Sequence, residues 1–162
     1  MARILITGAN GQVSTATITA LKGMGQQVIG LVRDRLKGER LGIEFRVGDL
    51  DRPRSLEGAF DGIDTAFLLA APTDAAPYHM SNALWAAKRA RVQHGVRMSA
   101  IGAAAGAPNL NGRLHALSDR EPTASGLEYT ILQPSSPALV PEILPREQLS
   151  LLVNDEWIYS LS

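Results

Sequence analysis

The residues best suited to bind an anion form a short turn close to the N-terminus. Gly8 and Gly11 lie between an apolar run, residues 3–7, and a helical pattern that begins at Gln12. Gly8 permits a tight turn after a strand, and Gly11 lacks a Cβ that would keep a phosphate away from the backbone. The N–H groups at the start of the helix then point at the anion. The stretch predicts a dinucleotide pyrophosphate site, with a structural turn as the alternative; the predicted site residues are Gly8, Asn10, Gly11, Gln12 and Val13.

The spacing of this turn is G-x-x-G-x-x-S, which differs from G-x-G-x-x-G. Ser14 stands where a third glycine usually lets the helix pack closely against the strand. Because serine is small, we expect a modest adjustment of the packing; weaker cofactor affinity is the alternative.

Arg33 follows a second apolar run, residues 27–32, at the point where a dinucleotide-binding sheet meets the adenosine ribose. An arginine at this point accommodates a 2′-phosphate, which a guanidinium binds through two hydrogen bonds. The sequence therefore predicts NADP(H) as the cofactor, with NAD(H) less favoured. Arg35 could assist Arg33, whereas Asp34 could instead bind a ribose hydroxyl. A solvated surface arginine is the remaining alternative.

Two further segments follow predicted strands and complete the predicted cofactor site. Asp49 and Leu50 are expected beside the adenine, although Asp49 could equally be a turn or helix-capping aspartate. Ala70 and Ala71 have small side chains that leave room for a ribose, or they belong to an ordinary loop.

Ser99 and His115 are the candidates for catalysis. A serine at the end of the fifth strand and a histidine at the start of the next helix could hold or protonate a carbonyl substrate. The alternative is a serine at a strand end and a surface histidine. No tyrosine has a lysine four residues later, so the acid pair of short-chain reductases is missing. The chain has no cysteine and its three histidines lack ligand spacing, so no metal site is predicted.

The elements that must position these residues alternate between strand and helix. Strands are predicted at residues 3–7, 27–32, 44–47, 65–69, 96–100 and 129–132. Helices are predicted at residues 12–22, 35–41, 51–60, 78–91 and 114–125. Asp51 is the predicted N-cap of the third helix, and Pro122 is predicted to interrupt the fifth. A loop is predicted at residues 101–112. The alternation predicts an α/β fold with a doubly wound parallel sheet, a Rossmann-like three-layer α/β/α arrangement. The candidate residues Gly8, Arg33, Asp49, Ala70 to Thr73 and Ser99 then lie at the carboxyl ends of strands, where such sheets bind ligands.

Composition limits the remaining choices. The chain has 162 residues, zero formal net charge and 45% hydrophobic residues, which suits a globular protein with one main core. Zero net charge predicts neither a nucleic-acid partner nor a membrane surface. The short apolar run at the N-terminus is no signal peptide and the chain has no cysteine, so a cytoplasmic protein is expected.

Two segments are expected along the chain. Residues 1–134 are predicted to form an NAD(P)-binding domain, and residues 135–162 a short, irregular C-terminal tail in place of a full substrate lobe. Four prolines within residues 134–145 predict no regular element there, and a short helix is predicted near residues 147–153.

Several of these motifs occur together in a known family. The chain from residue 3 to 134 resembles the NmrA-like proteins, atypical short-chain dehydrogenase/reductase relatives that bind NAD(P) on a Rossmann fold. The segments that carry the resemblance are residues 7–12, 31–34, 48–50, 98–103 and 125–134. The resemblance implies a dinucleotide site at Gly8, Gly11 and Arg33, in an NADPH-dependent oxidoreductase acting on a quinone or other carbonyl compound. The family also contains regulators, so a non-catalytic NADP(H) sensor with a protein partner is the alternative.

The chain departs from the family pattern at several points. Ser14 replaces the third glycine, Gln133 stands where an arginine commonly precedes the proline, and Pro122 lies within a helix that is normally continuous. His115 aligns with a lysine of the reductase branch. Relatives usually continue beyond this length, so an inactive truncated fragment is a third possibility. A homodimer is also possible.

Overall fold

The computed structural model describes residues 2–134. The predicted tail of residues 135–162 and the helix predicted near residues 147–153 lie outside the described residues, as does almost all of the predicted proline-rich stretch.

Six parallel strands form one sheet in the order β3-β2-β1-β4-β5-β6. The strands are β1 (Arg3–Ile6), β2 (Gln27–Val32), β3 (Glu44–Val47), β4 (Thr65–Leu68), β5 (His94–Met98) and β6 (Glu128–Leu132). Since β1 pairs with both β2 and β4, the strand order reverses beside β1. This is the strand order of a Rossmann fold, and the predicted fold class is confirmed.

Helices cover both faces of the sheet. They are α1 (Gln12–Gly23), α2 (Arg35–Glu39), α3 (Ala76–Arg89) and α4 (Leu110–Ser125). One core joins Leu5 of β1 to Met80 of α3, and the other joins Ile6 of β1 to Leu21 of α1. Successive residues of a strand point to opposite faces, so the two cores share each central strand. None of the described helices is both long and apolar enough to cross a membrane.

The helix predicted at residues 51–60 is wrong. Only a short 3-10 turn forms, at Pro53–Leu56, and Arg52 rather than Asp51 is its N-cap. The chain leaves the helical conformation at Glu57, which is extended, and at Gly58, whose φ is +75°. Proline starts the turn as expected, but these two residues prevent its continuation.

The fifth strand begins two residues earlier than predicted and ends at Met98 rather than at residue 100. His94 and Gly95 pair with residues of both neighbouring strands, and His94 Nε2 lies 3.0 Å from Thr130 Oγ1 of β6. A polar residue followed by glycine resembles the end of a loop, which is why the sequence pattern missed the start of this strand.

The predicted loop at residues 101–112 is too long, because α4 already begins at Leu110. Asn109 is its N-cap, and the Asn109 side chain accepts a hydrogen bond from Gly112 N at 2.7 Å. The predicted interruption at Pro122 is also wrong. Pro122 lies in the last turn of α4, where a proline removes a single helical bond, to the carbonyl of Ser118. The other elements match their predicted bounds within two residues.

Candidate functional site

The turn after β1 has the backbone that the two glycines predict. Gly8 has a φ of +60°, a left-handed conformation that favours glycine. The N–H of Gly11 donates to the Gly8 carbonyl at 2.8 Å, which closes the turn. A Cβ on Gly11 would lie 3.1 Å from that carbonyl oxygen. A side chain at Gly11 would therefore crowd the turn itself, as well as any ligand in front of it.

The N-terminus of α1 remains open to an anion. Gly11 is the N-cap and no side chain caps the helix, whose first turn also contains no acidic residue. The first bond of the helix runs from Thr15 N to Gly11 O at 2.9 Å. The N–H groups of the residues between them, Gln12, Val13 and Ser14, therefore have no partner within the helix. Such donors, aided by the helix dipole, fit the pyrophosphate of a dinucleotide.

Side chains also tie this turn to the sheet. Ser14 is fully buried, and its Oγ donates to the Thr7 carbonyl at 3.2 Å. Thr7 Oγ1 donates to Leu69 O and accepts from Leu69 N, both at 2.7 Å. Serine at position 14 is therefore accommodated between α1 and β1, and its hydroxyl contributes a contact that a glycine lacks.

A cleft of about 370 Å³ opens beside this turn, at the carboxyl ends of the central strands. Eight of the ten predicted cofactor residues line it: Gly8, Asn10, Gly11, Arg33, Asp49, Leu50, Ala70 and Ala71. Gln12 and Val13 do not line the cleft; they are the first two residues of α1, directly after the lining residue Gly11. The position of the cleft beside β1, where the strand order reverses, is the usual ligand position in such sheets.

The charged residues that follow β2 have different partners. Arg33 and Lys37 both line the cleft. Asp34 is the N-cap of α2, and its Oδ1 accepts from Leu36 N at 2.9 Å. Arg35, which the sequence suggested as an assistant to Arg33, instead lies 4.0 Å from Glu39 and stacks 5.9 Å from the Phe45 ring. Lys37 was missed, although the predicted helix after β2 contained it.

The position of Asp49 fits both of the alternatives that the sequence left open. Its Oδ1 accepts from Asp51 N at 3.1 Å, as a turn aspartate does, while the residue lines the cleft. Asp51 in turn lies 2.6 Å from His79 Nε2, and both of these residues line the cleft. The hydrogen bond from His79, followed by the charge of that ring, lowers the pKa of Asp51. Because Asp51 and His79 are distant in sequence, no local pattern pointed to this pair.

The two catalytic candidates do not line this cleft and belong to a separate cluster. Ser99 Oγ donates to Asp119 Oδ2 at 2.5 Å, and Arg97 Nη2 lies 3.2 Å from His115 Nδ1. Arg97 Nε lies 3.4 Å from Asp119 Oδ1, which connects the two halves. His115 lies inside α4 rather than at its start. Arg97 and Asp119 were both missed, because Arg97 is a buried charged residue within a strand, Asp119 lies in a helix, and neither position gives a local signal for the contact between them.

Burial dominates the electrostatics of this cluster. The Arg97 side chain is only 2% exposed, and burial lowers its pKa while the charge of Asp119 raises it. Burial and then the charge of Arg97 lower the pKa of His115, and Asp119 partly opposes them. Within residues 2–134, no group of three or more metal-ligating side chains is placed to hold a metal ion.

The comparison with known proteins shows the family to which the chain belongs. Residues 8–143 match the family model described as NAD(P)H-binding. The chain belongs to this family. The turn, the open helix N-terminus and the cleft are all within the matched residues, and the narrower resemblance to NmrA-like proteins is compatible with the match and stays a prediction.

Individual relatives are reductases. The chain is 31% identical over 134 residues to NAD(P)H azoreductase from Xenophilus azovorans, a match covering 81% of this chain and 47% of the relative. Triphenylmethane reductase from Citrobacter sp., solved with NADP(H), is 26% identical with a TM-score of 0.70, covering 81% and 48%. NADPH-dependent quinone oxidoreductase from Escherichia coli, solved with NADPH, is 27% identical with a TM-score of 0.73, covering 80% and 48%. The chain thus spans about half the length of these relatives.

Proposed function

We propose that this chain binds NADPH in preference to NADH and serves an NADPH-dependent reduction of a quinone or other carbonyl compound. The observation that carries the proposal is the pair of cations, Arg33 and Lys37, at one side of a cleft that also contains the glycine turn. The two reductase structures solved with NADP(H) or NADPH support the choice of cofactor.

Each part of the cleft has a role in this proposal. The N–H groups of Gln12 and Val13 bind the pyrophosphate, and the turn at Gly8 and Gly11 lets it approach. Arg33 and Lys37 bind the 2′-phosphate through charge-assisted hydrogen bonds. The adenine lies beside Asp49 and Leu50, and the second ribose lies over the small side chains of Ala70 and Ala71.

The reduction itself needs a hydride and a proton. A bound NADPH supplies the hydride, and with one proton from water a quinone becomes a hydroquinone while the cofactor becomes NADP⁺. Ser99 and His115 are proposed to contact the substrate, with His115 as the donor to its oxygen. The names of the three relatives, which refer to azo compounds, triphenylmethane dyes and quinones, support a conjugated acceptor as the substrate class.

The test measures binding and turnover separately. NADPH and NADH are titrated into the protein, and NADPH consumption is then followed with a panel of quinones, simple carbonyl compounds, azo dyes and triphenylmethane dyes. Binding with turnover of at least one quinone or carbonyl compound supports the proposal. Binding without any turnover favours the alternative, a non-catalytic NADP(H) sensor. The absence of binding would contradict both and leave an inactive fragment.

A further inference from the structure

Arg97 is a charged residue in the middle of a parallel strand, and it lies outside the cofactor cleft. Its neighbours on the strand, Val96 and Met98, belong to the apolar core on the α1 face. Arg97 therefore points to the opposite face, where α4 packs. There it contacts His115 and Asp119, which are four residues apart and so lie on the same side of that helix. A buried guanidinium needs partners, and α4 provides two.

The contact with His115 determines where that ring carries its proton. A guanidinium has donors only and stays protonated, so the short contact at 3.2 Å requires His115 Nδ1 to accept. An imidazolium would place an N–H of the ring against an N–H of Arg97. The ring is therefore neutral, and its single proton is on Nε2. No described residue hydrogen-bonds to Nε2, which leaves that N–H available to another molecule.

The contact with Asp119 determines the direction of the Ser99 hydroxyl. Ser99 Oγ donates its one proton to Asp119 Oδ2 at 2.5 Å, so the lone pairs of that oxygen remain as acceptors. Asp119 also forms an ion pair with Arg97, whose Nε lies 3.4 Å from Oδ1, although neither of these two atoms has a hydrogen-bond partner among the described residues. This ion pair thus contacts both of the residues that the sequence suggested for catalysis.

We infer that Arg97 and Asp119 are positioning residues, which keep His115 as a neutral donor through Nε2–H and Ser99 as an acceptor. His115 then stabilises negative charge on the substrate oxygen by a hydrogen bond, and water supplies the proton. The role toward a substrate rests on the proposed reduction, whereas the protonation state of His115 does not.

The surroundings of the ring agree with this protonation state. Arg97 from β5 and Asp119 from α4 are the charged side chains that act on His115 within residues 2–134. Burial and Arg97 lower the pKa of His115 more than Asp119 raises it. A neutral ring is therefore favoured at neutral pH for two physical reasons besides the contact geometry.

The first experiment reads the protonation state directly and needs no substrate. Nitrogen-15 NMR of the three histidines at neutral pH should show His115 with an unprotonated Nδ1 and a protonated Nε2. A pH titration of the same signals should give His115 a pKa below that of a free imidazole. His115→Gln identifies the signals by removing them. In Arg97→Met, which keeps the length of the side chain, the Nδ1–H form should appear and the pKa should rise. A charged ring, or an Nδ1–H form in the unchanged protein, would overturn the inference even if Arg97→Met does not fold.

The second experiment measures the consequence for turnover. Glutamine keeps a neutral N–H donor, so His115→Gln should retain NADPH-dependent turnover within about tenfold, whereas His115→Phe should lose roughly 100-fold in kcat. The reverse order would show that turnover needs no hydrogen bond from this position, and a kcat that falls in step with deprotonation of His115 would assign it as a proton donor. Either result would overturn its role as a neutral donor. If the unchanged protein binds NADPH but reduces nothing, the proposed function fails, while the NMR result still decides the protonation state.

Discussion

The charged residues that follow β2 differ in whether they line the cofactor cleft. Asp34 caps α2 and Arg35 contacts Glu39 and Phe45, and neither side chain lines the cleft. Arg33 and Lys37 line the cleft instead. The Asp34 carboxylate, which would favour the ribose hydroxyls of NADH, is therefore engaged in capping the helix. The two cations that line the cleft favour a 2′-phosphate.

The first prediction concerns cofactor preference. A 2′-phosphate offers charge-assisted hydrogen bonds of about 1.5–3 kcal/mol, so NADPH should bind more tightly than NADH by roughly one to two orders of magnitude. Arg33→Ala should remove most of this preference and leave the NADH affinity nearly unchanged, and Lys37→Ala should remove part of it. Titration of both cofactors at fixed salt is the measurement.

Arg35→Ala is the matched control for this prediction. The residue is also a cation on the same segment, but it does not line the cleft, so its removal should leave the ratio of the two affinities unchanged. An equal loss of both cofactors in Arg33→Ala would make Arg33 a structural residue and contradict the NADPH assignment.

At the scale of elements, the turn between β1 and α1 gives the second prediction. In Gly11→Val the Cβ would lie 3.1 Å from the Gly8 carbonyl oxygen, so the branched side chain should displace the turn that precedes the helix N-terminus. NADPH should therefore no longer raise the melting temperature of the protein. Gly23→Val is the control, since a Cβ at Gly23 meets nothing within 4 Å. If NADPH stabilised Gly11→Val as much as the unchanged protein, the turn would not belong to the site.

The packing of α1 against β1 gives the third prediction. Ser14→Gly removes the hydrogen bond to the Thr7 carbonyl, which contributes about 1 kcal/mol, and adds the conformational entropy of a glycine in a helix, up to ~1 kcal/mol. The free energy of unfolding in urea should fall by about 1–2 kcal/mol. Ser14→Ala separates the two causes, because it removes only the hydroxyl. Unchanged stability in both variants would show that the hydroxyl contributes nothing to this packing.

The sequence predicts elements best where a single local pattern determines them. The apolar run of β2 and the glycines of the first turn are such cases, and most of the candidate cofactor residues could be found from them. The start of β5 was missed because the contacts that make His94 part of the strand, such as the hydrogen bond to Thr130, are with another strand and leave no local pattern. The partners of Ser99 and His115 were missed for the same reason: Arg97 and Asp119 are brought to them only by the packing of α4 on the sheet.

For the molecule as a whole, the strand order places the candidate site. Gly8, Arg33, Asp49 and Ala70 follow four different strands, β1 to β4. Because all strands are parallel and neighbours in the order β3-β2-β1-β4, these residues meet at one edge of the sheet. The cleft is therefore a property of the entire sheet, and conditions that loosen the sheet should also weaken cofactor binding.

The fourth prediction concerns how the stability of the folded sheet depends on pH. His94 is 3% exposed, and burial lowers its pKa from 6.5 to about 4. His94 is thus protonated below pH 6.5 in the unfolded chain, but only below about pH 4 in the folded protein. Stability is fully present above the unfolded pKa and is lost as the pH falls through this window. The loss that His94 contributes should be roughly 2–4 kcal/mol, at about 1.4 kcal/mol for each pH unit.

Glutamine at this position tests the cause, because it can still hydrogen-bond to Thr130 but does not titrate. Urea unfolding of the unchanged protein and of His94→Gln, measured at pH values from neutral down to acidic, gives the two stability profiles. Carboxylates also titrate in this range and affect both proteins alike, so the difference between the profiles isolates His94. As the pH falls, the free energy of unfolding of His94→Gln should increase relative to that of the unchanged protein. Parallel profiles would mean that His94 is protonated in the folded sheet at the same pH as in the unfolded chain, and that its burial between β5 and β6 does not govern acid stability.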